Sequence, residues 1–301
     1  MPPADVPTLA ERIAARETLL ADGAIGTMLF EMGLEPGVCL ESIALTRPEL
    51  LHGIAQQYLD AGSDIVETNT FGATSLKLSL YGLDDRTEEI NREAVAAVRS
   101  VVGDRAYVGG CCGPTGRILE PYGDTKPGDV YESYCRQMSV LVDSGVDCLV
   151  IETMSDLTEA KLAVRAAKDV SPATPVTATM TFDATLRGFF TIMGVTIADA
   201  ASGLTEAGAD VVGSNCGNGV DNMVKIAREF RTHTDRPLII QSNAGLPETA
   251  GGKTVYRETP AFMAERVEDL LDLGVSIIGG CCGTSPAHIS AFRKAIDAAL
   301  P

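Results

Sequence analysis

A short phrase recurs along the chain and constrains its fold more than any other feature. It consists of a helix-ending glycine, one or two further residues, and a run of apolar ones. Ala61-Gly62-Ser63-Asp64 leads into Ile65-Val66-Glu67, and Ser144-Gly145-Val146-Asp147 into Cys148-Leu149-Val150. Ala207-Gly208-Ala209-Asp210 leads into Val211-Val212-Gly213, and Leu273-Gly274-Val275-Ser276 into Ile277-Ile278-Gly279. Each glycine supplies the positive φ with which helices commonly stop. The apolar runs show no alternation, which is the pattern of strands covered on both faces, as in parallel sheets.

Completing this rhythm predicts strands near 19–24, 64–69, 106–110, 148–152, 175–181, 211–215, 237–242 and 276–280. Helical patterns fill the gaps at 46–61, 86–101, 129–144, 156–168, 197–207, 220–232, 260–272 and 286–299. The first opens with Thr46 and Glu49 at capping-box spacing. The last two open with Thr259-Pro260 and Ser285-Pro286, a cap followed by proline at the first helical position. Eight β-then-α units in 301 residues predict the α/β class and a single (β/α)8 TIM barrel with parallel strands, one domain over 1–301. Trp is absent and aromatics are only 5%, which suits a barrel interior filled with aliphatic side chains.

Charge narrows the partners. With 24 Lys plus Arg against 41 Asp plus Glu, the net charge of −17 repels phosphate backbones and anionic headgroups. No nucleic-acid or membrane partner is therefore expected. The opening MPPADVPTLAERIAARE has no basic start followed by an apolar core, and no apolar run reaches the roughly 18 residues that span a bilayer. The expected location is the cytoplasm. Thiols stay reduced there, so the eight cysteines read as ligands or buried small residues rather than disulfides.

Barrel chemistry sits at strand C-termini. The predicted ends carry Asp22-Gly23, Glu67-Thr68-Asn69-Thr70, Gly109-Gly110-Cys111-Cys112-Gly113, Glu152-Thr153, Thr181-Phe182-Asp183, Ser214-Asn215-Cys216-Gly217, Ser242-Asn243-Ala244 and Gly279-Gly280-Cys281-Cys282-Gly283. Cys216 ends the sixth strand and Cys281-Cys282 the eighth. Adjacent strand residues face opposite ways, so both cysteines can reach one ion only if the chain turns there, as Gly279, Gly280 and Gly283 permit. Three thiolates with one open position describe a tetrahedral zinc site able to accept a substrate ligand. Simple packing of small hydrophobes is the alternative, and spacing alone does not choose between them. Nor does it choose between the two Cys-Cys pairs. For Cys111 and Cys112 a second metal site, a redox pair and packing all stand open, with packing favoured.

Cys39, Cys135 and Cys148 read as structural. His52, His233 and His288 fall in predicted helices, away from strand ends. No Ser-His-Asp set and no P-loop is present. No strand end carries Lys or His, which argues against a Schiff-base or carboxylate–histidine lyase on the same barrel.

The phrases Asp22-Gly23-Ala24-Ile25-Gly26-Thr27-Met28, Glu67-Thr68-Asn69-Thr70-Phe71, Ser214-Asn215-Cys216-Gly217 and Gly279-Gly280-Cys281-Cys282-Gly283-Thr284 resemble the homocysteine S-methyltransferase family over about residues 15 to 298. Within it the Asp22–Met28 start and the segment Glu67-Thr68-Asn69-Thr70-Phe71-Gly72-Ala73-Thr74 look most like the homocysteine-binding module of cobalamin-dependent methionine synthase. The resemblance implies one Zn²⁺ held by Cys216, Cys281 and Cys282, and Asp22 and Glu152 gripping the homocysteine amino group. It also implies backbone amides around Gly23 and Ala24 receiving the carboxylate, and Asn215 supporting the metal loop. Cys111 and Cys112 depart from the family pattern, which usually has no cysteine there. The chain holds no Asp-x-His-x-x-Gly cobalamin signature, so cobalamin, if used, is expected on a partner corrinoid protein. Residues 183–195, with Arg187, Phe189, Phe190 and Met193, are either part of that contact or an ordinary loop. Betaine or S-methylmethionine as a free donor, and a non-catalytic zinc-containing thiol-binding module, are the competing readings.

Overall fold

The computed structural model describes residues 7–35, 37–251 and 253–300. Eight parallel strands form the barrel: β1 (Leu19–Leu20), β2 (Ile65–Glu67), β3 (Tyr107–Cys112), β4 (Cys148–Met154), β5 (Val176–Met180), β6 (Val211–Asn215), β7 (Leu238–Ser242) and β8 (Val275–Gly280). Each pairs with its sequence neighbour from β2 through to β8, and β8 pairs back to β1. A parallel bridge between Ala21 and Ile65 closes the ring between β1 and β2. This is the eight-stranded parallel barrel expected from the repeated phrase.

The phrase acquires a structural meaning. Gly62, Gly145, Gly208 and Gly274 all have positive φ, between 67° and 110°. In the first three copies the aspartate that follows ties its strand to the one before. Asp64 Oδ2 accepts the Leu20 N–H (2.8 Å), Asp147 Oδ2 the Val108 N–H (2.7 Å) and Asp210 Oδ2 the Val176 N–H (2.8 Å). Arg293, Arg99 and Lys168 neutralise these carboxylates from neighbouring helices.

Two cores result from the pleat. Inward-facing Leu19, Ala21, Ile65, Cys148, Val150, Val211, Ile239 and Ile277 fill the barrel, and Leu9 and Ile13 of the helix Leu9–Ala14 pack against them. Outward-facing residues such as Leu20, Val66, Val108, Ile151, Val212 and Ile278 pack under the surrounding helices. Among the described residues no helix is long and apolar enough to cross a membrane.

Several boundaries differ from the sequence reading. The first barrel helix is Pro48–Asp60, capped by Arg47 without a side-chain bond. Pro48 disfavours helical geometry at the residue before it, so the Thr46–Glu49 capping box does not form and Thr46 Oγ1 donates to the Ser42 carbonyl instead. The predicted helix 260–272 is two pieces, Pro260–Ala264 and Val267–Asp272, with the Arg266 N–H tightening onto the Met263 carbonyl. Proline starts hold at Thr259-Pro260 and Ser285-Pro286. Strand β3 runs to Cys112, two residues past its predicted end, with consequences described below. Two exposed hairpins, Asp183–Thr185 with Gly188–Phe190 and Glu248–Ala250 with Lys253–Val255, follow β5 and β7.

Gly145 has φ +88° and open space where a Cβ would stand. Gly145→Ala should therefore cost only backbone strain, about 1–2 kcal/mol in chemical unfolding, with the site below left intact.

Candidate active site

The site is built where three strand ends abandon the pleat. After β6, Cys216 adopts φ +59° and Gly217 φ +73°. That conformation is unfavourable for a residue with a Cβ, and the surroundings hold it. The Cys216 N–H donates to the Gln241 carbonyl (3.1 Å) and the Cys216 carbonyl accepts the Asn218 N–H (2.8 Å). After β8, the Cys281 N–H donates to the Ser242 carbonyl (2.8 Å) and the Cys282 carbonyl accepts the Ala244 N–H (3.0 Å), so the pair leaves the sheet in a turn. Gly283 completes that turn at φ +80°, and a Cβ there would lie 2.1 Å from the Tyr256 ring. Between those two anchors, buried Asn243 keeps its Oδ1 without a hydrogen-bond partner.

The consequence is a sulfur cluster. Cys216, Cys281 and Cys282 present sulfurs all within 4.8 Å of one another, with Cys216 and Cys282 3.8 Å apart. A tetrahedral ion bonded to sulfur at about 2.3 Å requires sulfur–sulfur edges of about 3.8 Å, so the spacing fits zinc. Hydrogen bonds with Cys216 and Cys281 pull the Cys282 thiol down to about 3, whereas those with Cys216 and Cys282 push Cys281 well up. One thiolate is thus stabilised within the cluster.

Asn215 joins this cluster to β4. Its Nδ2 donates to Glu152 Oε2 (2.7 Å) and Thr153 Oγ1 (2.8 Å) and lies 3.8 Å from Cys281 Sγ. Its Oδ1 accepts the Thr153 N–H and the Thr179 hydroxyl, both at 2.7 Å. Thr153 has φ +60° within a break in the β4–β5 register, which turns Glu152 toward the barrel mouth.

A cavity of about 220 Å³ opens beside the sulfurs. Gly23, Ala24, Glu67, Cys111, Glu152, Cys216, Cys281 and Cys282 are among its walls. Asp22 and Asn215 lie behind that wall, at 1% and 0% exposure. Asp22 Oδ2 accepts the Glu67 N–H (2.9 Å), while its Oδ1 is buried without a partner. Glu67 Oε1 accepts Gln241 Nε2 (2.9 Å), leaving Gln241 Oε1 unpartnered. Among the described residues none of Asp22, Glu67 and Glu152 forms an ion pair. Burial raises all three, Asp22 to about 8 and Glu67 well above the usual carboxylate range, with Glu152 adding its repulsion to both. The pocket is rich in acceptors and lacks a cation.

Of the expected residues, the three cysteines, Glu152, Gly23 and Ala24 meet at this cavity, and Asn215 braces it. The Ala24 N–H is given to Thr284 Oγ1 (3.2 Å). Glu67 and Gln241 were missed as site residues. Glu67 was visible at a strand end but paired with no function, and Gln241 lies one residue inside the end of β7. Tyr256 follows a hairpin with no sequence signal. Cys111 and Cys112 lie inside β3, paired with Val150 and Ile151, so they face opposite ways. Cys111 enters the cavity and Cys112 points out to Gln137, which excludes a shared ion or a disulfide between them in this geometry. None of the three histidines lines the cavity; His288 caps the last helix and bonds the Glu258 carbonyl (3.0 Å).

Residues 19–296 match the family described as homocysteine S-methyltransferase. The chain belongs to the homocysteine S-methyltransferase family. It is 32% identical to methionine synthase of Mycobacterium tuberculosis, over 94% of this chain and 25% of that protein. It is also 32% identical to methionine synthase of Mycobacterium leprae, over 96% of this chain and 25% of that protein. The chain thus spans about a quarter of the length of these curated relatives. In fold it is similar to the metallated form of the homocysteine methyltransferase MmuM from Escherichia coli, with a TM-score of 0.76 and 21% identity, covering 92% of this chain and 96% of that one. The expected family and barrel are both upheld.

The raised Asp22 carboxyl has a measurable consequence. Its folded value lies above that of an unfolded aspartate, so the stability it contributes is present below about pH 4 and lost as pH rises toward about 8. Asp22→Asn keeps an acceptor for the Glu67 N–H and removes this charge. It should raise the thermal midpoint of the ligand-free protein above pH 8 by roughly 2–4 °C, the shift about 1 kcal/mol gives in a large domain, and flatten the decline between those limits.

Proposed function

We propose that this chain transfers a methyl group to the thiolate of homocysteine, giving methionine, with one zinc ion held by Cys216, Cys281 and Cys282 and a methyl-corrinoid on a partner protein as donor. The observation that carries this reading is the sharing of one cavity by a three-sulfur cluster and a set of buried acids with no cation. A ligand that satisfies both ends bears a thiol and an ammonium a few bonds apart, as homocysteine does. When bound, zinc lowers the pKa of an incoming thiol and keeps its sulfur nucleophilic.

The chain's residues supply the rest. Glu152 and Asp22, joined by Glu67, receive the ammonium, and Gln241 Oε1 offers a further acceptor. Gly23 and Ala24, on the cavity wall just before the helix Ile25–Glu31, border the end that takes the carboxylate, with the Ala24 N–H itself held by Thr284 Oγ1. Asn215 sets the distance between the two halves of the pocket by bonding Glu152 and approaching Cys281 at once. Tyr256, over Gly283, shields the cysteine turn from water. Holding the thiol and the amino-acid end together fixes the direction of attack on the methyl group.

Two observations favour a macromolecular donor over a small one. Apart from Leu300, the exposed large apolar side chains among the described residues all follow strand C-termini. Phe30, Leu80, Tyr122, Leu186, Ile192 and Leu246 represent five different loops. Loops after strand C-termini lie on the face of the barrel that carries the cavity, so these side chains are available to a partner docking there. The relatives named methionine synthase are also about four times longer than the region matched.

Purified protein should contain one zinc per chain by elemental analysis. Cys216→Ala should lose the metal and at least about a hundredfold in methyl transfer. Turnover should be fastest with protein-bound methylcobalamin, ahead of free methylcobalamin, betaine and S-methylmethionine. Full zinc in the variant would refute the ligand set, and equal rates with betaine would refute the donor.

A further inference from the structure

We infer that Cys111 is a positioning residue of the amino-acid pocket, its thiol fixing the Glu152 carboxylate that receives the substrate ammonium. This rests on the function proposed above. The Cys111 thiol donates to Glu152 Oε1, and Asn215 Nδ2 donates to Glu152 Oε2 at 2.7 Å, so each carboxylate oxygen has its own donor. The plane of the carboxylate is thereby set from two sides, by β3 and by β6.

The cysteine is itself pinned. Its N–H donates to Thr68 Oγ1 (3.2 Å) and its carbonyl accepts the Thr70 hydroxyl (2.6 Å), both from the loop after β2. The side chain is 2% exposed and lies on the cavity wall. Its sulfur shares a 4.8 Å cluster with oxygens of Glu67 and Glu152. Burial, reinforced by both carboxylates, pushes the thiol well up, so it keeps the proton that it donates to Glu152. The same bond works against the burial that raises Glu152, favouring its charged form.

The test is homocysteine binding to the zinc-loaded protein by calorimetry, which needs no methyl donor. Cys111→Ala, Cys111→Ser and wild type are compared, each with homocysteine and with 4-mercaptobutanoate, which has the same thiol and carboxylate but no amino group. Cys111→Ala should weaken homocysteine roughly tenfold, the value of one hydrogen bond to a charged group. It should leave 4-mercaptobutanoate within about twofold, and Cys111→Ser, which keeps a donor, should recover most of the loss. If the alanine protein is unstable, Cys111→Val fills the space without a donor and is expected to behave alike. Unchanged homocysteine affinity in the donor-free variants, or equal losses for both thiols, would overturn the assignment. Wild type binding neither thiol would instead overturn the zinc–thiol reading, and wild type binding both equally would overturn the ammonium pocket.

Discussion

The structure depends on one constraint: sulfurs from two non-adjacent strands must approach to within about 4 Å while neither strand can deliver them by continuing its pleat. A regular strand would send Cys281 and Cys282 to opposite faces. The chain therefore turns at the end of β8, held by backbone bonds to Ser242, the last residue of the intervening β7, and to Ala244 just beyond it. Cys216 takes a left-handed conformation over the end of β6, held by the Gln241 carbonyl. Strand β7 contributes no sulfur, yet its last residues are the template on which both halves of the cluster are set.

The second half of the site follows from a different tension. Two buried carboxyl groups, Asp22 and Glu67, and the half-buried Glu152 share one barrel mouth with no basic partner among the described residues. Isolated buried charges are expensive, so such groups gain protons or await a cation. Polar bonds from Gln241, Asn215 and Cys111 hold the acids in place without neutralising them. The raised Asp22 carboxyl lowers ligand-free stability as pH rises toward about 8. Asn215 makes the sulfur and carboxylate halves one object, because any shift of β6 moves both.

How much was legible in the chain depended on how local each signal was. Helix-stopping glycines and unbroken apolar runs act within a few residues, and they located the eight strands. The reading of Cys216, Cys281 and Cys282 as one set came from the family phrases, not from spacing alone, and their sulfurs do converge. The phrase Gly-Gly-Cys-Cys-Gly shows the limit of local reading. At 279–283 the strand ends at Gly280, and the cysteines lie beyond it and converge. At 109–113 the strand continues through Cys112, paired with β4, and the same five residues send their thiols to opposite faces. What differs is the length of the pairing partner, a tertiary property absent from either phrase. Glu67, Gln241 and Tyr256 were missed as members of the site for the same reason. Their roles arise from neighbours 174 residues apart, as for Glu67 with Gln241, or from a hairpin that carries no distinguishing pattern.

X-ray absorption at the zinc edge tests the central claim most directly. The protein as purified should show three sulfur scatterers at about 2.3 Å and one lighter atom, and added homocysteine should replace the lighter atom with a fourth sulfur. A shell of nitrogen and oxygen alone, or a sulfur count unchanged by homocysteine, would contradict the account.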